Sequence, residues 1–261
     1  MELKNIVVEK KENIAKLTLN RPEAMNALDG ETYDELWLAT EDVRTDNEIR
    51  VVIISGTGRA FCAGLDLKYA GTLTKLSLPE FREKLRKIQE TFRLERLEKP
   101  VIAAINGFAL GNGCDLTLAC DFRIASEGAR FGMTYTQLGI IPDVGGACRL
   151  TRLVGVSKAK ELIFTGDMID AKEAQRIGMV DKVVPAENLD STALDLAKKL
   201  AKGAPLAIGL SKKALNAALD TDLKTALEFD LDAQSACLQS EDAREGMTAR
   251  AEKREPVFKG K

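Results

Sequence analysis

The stretch that decides the fold is VIAAI (Val101–Ile105) running into NGFALGNGCDL (Asn106–Leu116) and then into an apolar helical run that ends at Cys120. Five apolar residues in a row, with no polar alternation, predict a strand covered on both faces. Gly111 and Gly113 flank Asn112, so the main-chain N–H of Asn112 can point at an oxygen from the start of the helix, where the dipole favours negative charge. This suits an oxyanion hole. An ordinary glycine-bearing strand-to-helix turn is the plain alternative, and the string is not the dinucleotide fingerprint GxGxxG in spacing or context.

A second strand-loop pair lies upstream. VVIIS (Val51–Ser55) and the turn Gly56-Thr57-Gly58 lead to AFCAGLDL (Ala60–Leu67). Gly64 permits a backbone geometry that turns the N–H of Leu65 towards a ligand. By itself the string reads equally well as a tight turn whose Leu65 packs.

Around these pairs, β-branched runs alternate with helix-period segments: Asn13–Leu19, Glu31–Val43 and Pro79–Leu97 complete an α/β core with a layered or spiral sheet. Beyond about Leu150 the pattern is helical, near Lys158–Phe164, Ala171–Ile177, Asn188–Ala201, Leu206–Ala218, Leu223–Leu238 and Ser240–Lys253, with strand signal only at Val183-Val184. There is no repeat or flexible linker. The expected organisation is a core over residues 1–195 and a helical segment over 196–261 that packs on it or on a neighbouring subunit.

Composition narrows the chemistry. The 261 residues carry 38 Lys plus Arg against 40 Asp plus Glu, so no sequence-wide field attracts nucleic acid or an anionic membrane. No run reaches the roughly 18 apolar residues of a membrane span, and MELKNIVVEKKEN has no apolar signal core, which leads to a cytoplasmic expectation. Cys62, Cys114, Cys120, Cys148 and Cys237 lack zinc spacing and read as reduced thiols. There is no histidine. Ser-His and Cys-His pairs and histidine metal sites are thereby excluded, no metal is expected, and proton transfer falls to a carboxylate, Tyr, Lys or Cys.

Together with the two loops, LNRPEAMNAL (Leu19–Leu28), LGIIPDVGGACRLTRLVG (Leu138–Gly155), TGDMIDAKEAQRIGMVDKVV (Thr165–Val184) and EKREPVFKGK (Glu252–Lys261) resemble the enoyl-CoA hydratase/isomerase (crotonase) superfamily over essentially the whole chain. The resemblance implies an α/β fold of the ClpP/crotonase type, a spiral of ββα units with C-terminal helices, assembled as homotrimers that pair into homohexamers. It implies acyl-CoA substrates of fatty acid metabolism, with coenzyme A entering as part of the thioester and no permanently bound cofactor. The N–H groups of Leu65 and Asn112 correspond to the oxyanion hole for a thioester enolate, and Ala63, Asp66, Gly111 and Tyr135 to the substrate pocket. Arg21, Lys68, Lys259 and Lys261 are candidate partners for the coenzyme A phosphates, and the resemblance implies that Lys261 and the aromatic Phe258 arrive from a neighbouring subunit; taken singly, each cation also reads as a solvated surface charge.

The resemblance also implies two glutamates for hydration, and here this chain departs. Asp115 stands at the first position, and the second falls at Tyr135, whose reference pKa near 10 makes it a poor base at neutral pH. Asp143, in GIIPDVGG, occupies a position that some isomerase-type members use for catalysis. It is equally well placed as an N-cap for the following helix. Asp115 is either catalytic support or a first-turn carboxylate, Tyr135 either a substrate contact or pocket wall, and Cys114 a buried hydrophobe without a partner. The leading expectation is therefore an enoyl-CoA isomerase that shifts a double bond from position 3 to 2 with Asp143 as its one base. Hydration (a lyase reaction) with rearranged water activation, and a non-catalytic acyl-CoA binder, are the alternatives.

Overall fold

The computed structural model describes residues 3–261. β1 (Ile6–Lys11) turns back onto β2 (Ile14–Leu19) through Glu12 and Asn13, both at positive φ, as a two-residue hairpin requires. Then follow α1 (Gly30–Thr45), β3 (Val51–Gly56), β4 (Ala60–Cys62), α2 (Leu67–Leu73), α3 (Leu78–Thr91), β5 (Val101–Ile105), β6 (Phe108–Leu110), α4 (Asn112–Ala119), β7 (Phe122–Ser126), β8 (Arg130–Gly132) and α5 (Gly146–Thr165). β9 (Met168–Asp170), α6 (Ala171–Arg176), β10 (Lys182–Val184), α7 (Leu189–Ala201), α8 (Pro205–Ala217), α9 (Leu223–Gln239) and α10 (Glu241–Glu252) complete the chain.

The strands form two sheets, a six-stranded one in the order β1-β2-β3-β5-β7-β10 and a four-stranded one in the order β4-β6-β8-β9. From β2 to β10 every pair in the large sheet is parallel. The chain repeatedly lays one strand in the large sheet, one short strand in the small sheet, and then a helix: β3-β4-α2-α3, β5-β6-α4 and β7-β8-α5. This is the spiral of ββα units that the resemblance implies.

Alternation along β3 explains its unbroken apolar run. Val52 and Ile54 face the larger core with Leu17, Leu36, Phe61 and Leu116, whereas Val51 and Ile53 face Ile102, Ala104 and the Ala193-Ala197-Ala201 stripe of α7. The small side chains of that stripe, spaced by four, let α7 lie close across β2, β3, β5 and β7. The expected division at 195/196 consequently falls inside a core helix, and the core runs at least to Ala201.

Other boundaries also shift. The expected helix to Leu97 stops at Thr91, with a 3-10 turn at Leu94–Arg96, and the segment near Lys158 is the second half of a helix that begins at Gly146 and kinks at Gly155. β1, β7 and the short strands β4, β6, β8 and β9 have no counterpart in the sequence reading; three residues are too few to show a period. Among the described residues no helix is long and apolar enough to cross a membrane.

Lys212 fastens α8 to the core. Its side chain is 7% exposed, and Nζ donates to the carbonyls of Leu94 and Lys99 at 3.1 Å and to Asp121 Oδ2 at 2.7 Å. Removing one partner of a buried pair leaves the other charge uncompensated. Lys212→Ala is expected to cost about 3–5 kcal/mol in urea denaturation; a loss below about 1 kcal/mol would show that α8 does not depend on this anchor.

Candidate active site

The two loops meet main chain to main chain. A Cβ at position 113 would lie 2.1 Å from the Cys62 carbonyl oxygen, and one at position 64 would lie 2.6 Å from the Leu110 oxygen and 3.3 Å from Asn112 N. Only glycine fits either place, and Gly64 also sits at φ +94°. The first loop is tied to the segment before α1 by Leu28 N donating to Gly64 O (2.7 Å) and Asp66 N donating to Leu28 O (3.0 Å), a parallel bridge. Gly111, at φ 50° and ψ −122°, turns β6 into α4 while its N–H donates to Gly132 O at 2.8 Å.

These contacts leave donors over. Among the described residues the N–H of Leu65 has no hydrogen-bond partner, nor has that of Asn112, which opens the first turn of α4 ahead of the equally unbonded N–H groups of Gly113 and Cys114; Asn112 is 4% exposed. Shielded N–H groups without a partner are rare. Two side by side, one at a helix start, can accept the oxygen of a carbonyl that is gaining negative charge.

Leu65 and Asn112 also border two spaces. A cleft of about 950 Å³ is lined by Arg21, Ala63, Asp66, Lys68, Gly111 and Tyr135 along with both of them. On the other side a small cavity of about 20 Å³ is lined by both of them, Tyr33, Phe81, Ile88 and Asp143.

Asp143 does not cap α5. Gly145 is the N-cap residue, and no side chain bonds the first turn. Instead the Asp143 carbonyl accepts a hydrogen bond from Gln89 Nε2 at 2.7 Å, tying this segment to α3, while the residue itself lines the small cavity. Burial raises its carboxyl pKa above the usual range.

Asp115 behaves differently. It is fully buried and lines neither space; Oδ2 accepts the Tyr135 hydroxyl, and Oδ1 has no partner. A Cβ at Gly146 would lie 1.7 Å from Oδ1, so the start of α5 packs directly on the carboxyl. Burial pushes the Asp115 pKa up to about 7, with the Tyr135 hydrogen bond and Arg149 pulling down and Asp143 pushing up. Any influence of Asp115 on a ligand must pass through Tyr135, which is 3% exposed and forms part of the cleft wall.

The remaining candidates separate. Arg21 reaches the cleft, but its guanidinium is held by the Ala27 carbonyl (2.6 Å), Asp29 (3.1 Å) and Asp66 (3.3 Å). Asp66 caps α2 through the N–H groups of Lys68 and Tyr69; burial would raise its pKa, but these bonds and Arg21 outweigh burial and hold it low. Lys68 is exposed at the rim. Phe258 and Lys261 lie elsewhere in this chain: the Phe258 ring rests on Gly246 of α10, and the Lys261 carbonyl accepts from Glu241 N and Asp242 N, while Lys259 N donates to Asp242. Cys62, Cys114 and Cys120 are buried, which pushes the Cys62 thiol up to about 12 and raises that of Cys114; Cys148 is exposed. Sequence reasoning missed Tyr33, Phe81 and Ile88, because no local motif distinguishes them from other apolar-face helix positions.

Comparison with known proteins gives the family. Residues 9–261 match the family model described as enoyl-CoA hydratase/isomerase, and the chain belongs to that family. It is 45% identical over 255 residues to the short-chain-enoyl-CoA hydratase of Clostridium acetobutylicum, covering 97% of each chain. It is also 45% identical over 260 residues to the crotonyl-CoA hydratase of Syntrophomonas wolfei, covering 99% of each. The crystal structure of an enoyl-CoA hydratase from Bacillus anthracis superposes with a TM-score of 0.93 at 42% identity, over 99% of this chain and 100% of that one.

The buried Asp115 carboxyl has a thermodynamic signature. Its folded pKa lies near 7 and its unfolded pKa near 3.8, so the folded state holds the extra proton between them and stability falls as pH rises through that window. Between pH 5 and pH 8 the wild type is expected to lose about 2–3 kcal/mol more than Asp115→Asn, which does not titrate. Urea denaturation at the two pH values measures this, and equal slopes would contradict it.

Proposed function

We propose that this member of the enoyl-CoA hydratase/isomerase family adds water across the 2,3 double bond of an enoyl-CoA thioester, with Asp143 as its base. The observation that carries the reading is the junction at Leu65 and Asn112, where two unpartnered N–H groups border a cavity of about 20 Å³ that also contains Asp143. A space of that size holds about one water molecule. The names of the relatives, short-chain-enoyl-CoA and crotonyl-CoA hydratase, support the same reading.

The chemistry follows from the geometry. The thioester carbonyl receives the N–H groups of Leu65 and Asn112, with the coenzyme A portion in the larger cleft towards Lys68. Asp143 removes a proton from water, the oxygen bonds to C3, and the π electrons move to the carbonyl oxygen as an enolate held by the two donors. The proton on Asp143 then passes to C2. Backbone donors do this regardless of side chain, so asparagine at position 112 is compatible with the role.

Isomerisation is the second reading, favoured by the fact that one carboxyl, Asp143, reaches the cavity while Asp115 is shut away. The same base would take a proton from C2 of a 3-enoyl thioester and return it at C4. For assembly, the leucines of α9 at 223, 227, 231 and 238, each at least half exposed along one side, support a trimer or hexamer.

Asp143→Asn is expected to lower crotonyl-CoA hydration about 10²–10⁴-fold. Because the base works ionised and burial raises its pKa, wild-type kcat should fall on acidification through a pH above the ordinary carboxylate range. Unchanged hydration in Asp143→Asn would refute the assignment, and faster turnover of 3-hexenoyl-CoA than of crotonyl-CoA would move it to isomerisation. Gly113→Ala, which forces the second loop off Cys62, should reduce turnover at least about 10²-fold by separating the two donors; wild-type rates would show that the loop contact is not needed.

A further inference from the structure

The small cavity contains a polar group that the proposed chemistry has not used. Tyr33, on α1, is 2% exposed, and its ring is clamped between Tyr69 and Phe92 with centroids 6.2 Å from each. Its hydroxyl makes no side-chain hydrogen bond among the described residues and, unlike that of Tyr69, is not one of the fully buried atoms without a partner, which leaves it free to bond a molecule in the cavity. The residue lines the same small cavity as Leu65, Asn112 and Asp143. Burial first, and then the nearby Cys62 and Asp143, raise its pKa, so the hydroxyl keeps its proton.

The rest of the wall leaves few alternatives. Leu65, Leu73, Phe81, Leu85 and Ile88 are apolar, Lys84 also borders the surface groove between α2 and α3, and Asn112 adds a side-chain amide to its main-chain N–H. A buried water needs room for one probe sphere and two to four polar partners. The cavity offers that room, with Tyr33 and Asp143 as two partners.

From this juxtaposition we infer that Tyr33 and Asp143 together grip the reacting oxygen, as water before addition and as the C3 hydroxyl afterwards. The inference rests on the hydration reading and adds a residue to it. Water donates one proton to Asp143 and accepts a hydrogen bond from Tyr33, which fixes the remaining lone pair towards C3. As the C3–O bond forms, the water proton goes to Asp143 and the π pair goes to the enolate; Asp143 then protonates C2. Tyr33 keeps its own proton throughout. In the reverse direction its hydrogen bond stays on the departing oxygen.

Tyr33→Phe keeps the ring between Tyr69 and Phe92 and removes only the hydroxyl. Crotonyl-CoA hydration by this variant is expected to fall about 10–100-fold in kcat, with KM changed less than about threefold, because an oxygen misplaced by about 1 Å reacts that much more slowly. Deuterium exchange at C2 of butyryl-CoA in D2O needs Asp143 and the two N–H groups but no oxygen at C3, so it should stay at the wild-type rate. Undiminished hydration in Tyr33→Phe overturns the inference, as does an equal loss in both reactions, which marks a packing role. Wild-type protein that fails to hydrate crotonyl-CoA instead removes the underlying reading, and this assignment with it. A crystal structure with butyryl-CoA gives an independent check: a water bonded to both Tyr33 and Asp143 is expected, and the terminal methyl occupying that place would overturn the grip.

Discussion

The site depends on two places where backbone touches backbone. Gly113 lies against the Cys62 carbonyl, and Gly64 against the Leu110 carbonyl and the Asn112 nitrogen, at separations that no Cβ could share. Each glycine belongs to a different ββα unit, so the contact joins consecutive turns of the spiral as well as two loops. The strands behind it are largely buried and hold the loops from both sides, β3 and β4 for one, β5 and β6 for the other. With the ladder and helix bonds formed, the N–H groups of Leu65 and Asn112 are left without a partner at the place where the loops meet.

Around that fixed point the fold sorts its acidic side chains by exposure. Asp115 and Asp143 stand 28 residues apart in sequence, and the charge of Asp143 adds to the cost of ionising Asp115, yet one is sealed behind Tyr135 and the other lines a cavity. Like charges in one low-dielectric region do not ionise together readily. Burial beside a phenol keeps Asp115 partly protonated, with its pKa about 7, while Asp143 lines the cavity. Gly146 is part of the same arrangement, since a side chain there would collide with the Asp115 carboxyl and push α5 away from α4.

The helical end of the chain serves two purposes that the sequence pattern does not separate. α7 is core, its alanine stripe filling the second face of the large sheet. α8 to α10 stand further out, fastened by Lys212 and by Asp242, which accepts from the N–H groups of Lys259 and Gly260. No residue of α9 is buried, and its leucines point away from the core. A helix of that kind needs a further surface to cover its apolar side.

Much of this was legible from residue order. Continuous apolar runs at Val51 and Val101, each followed by a glycine-bearing loop, announced covered strands feeding two donor turns, and the lack of histidine confined proton transfer to groups such as Asp143. Those properties are local: an apolar run or a glycine keeps its meaning whatever lies beyond it. Tertiary structure alone decided that Asp143 faces a cavity instead of capping α5, that Asp115 is withdrawn behind Tyr135, and that Tyr33 reaches the same cavity from α1. It also decided that the core continues through α7. Burial and the company a side chain keeps are set by segments far away along the chain, and no window of sequence around Asp143 contains Tyr33, Asn112 or Gln89.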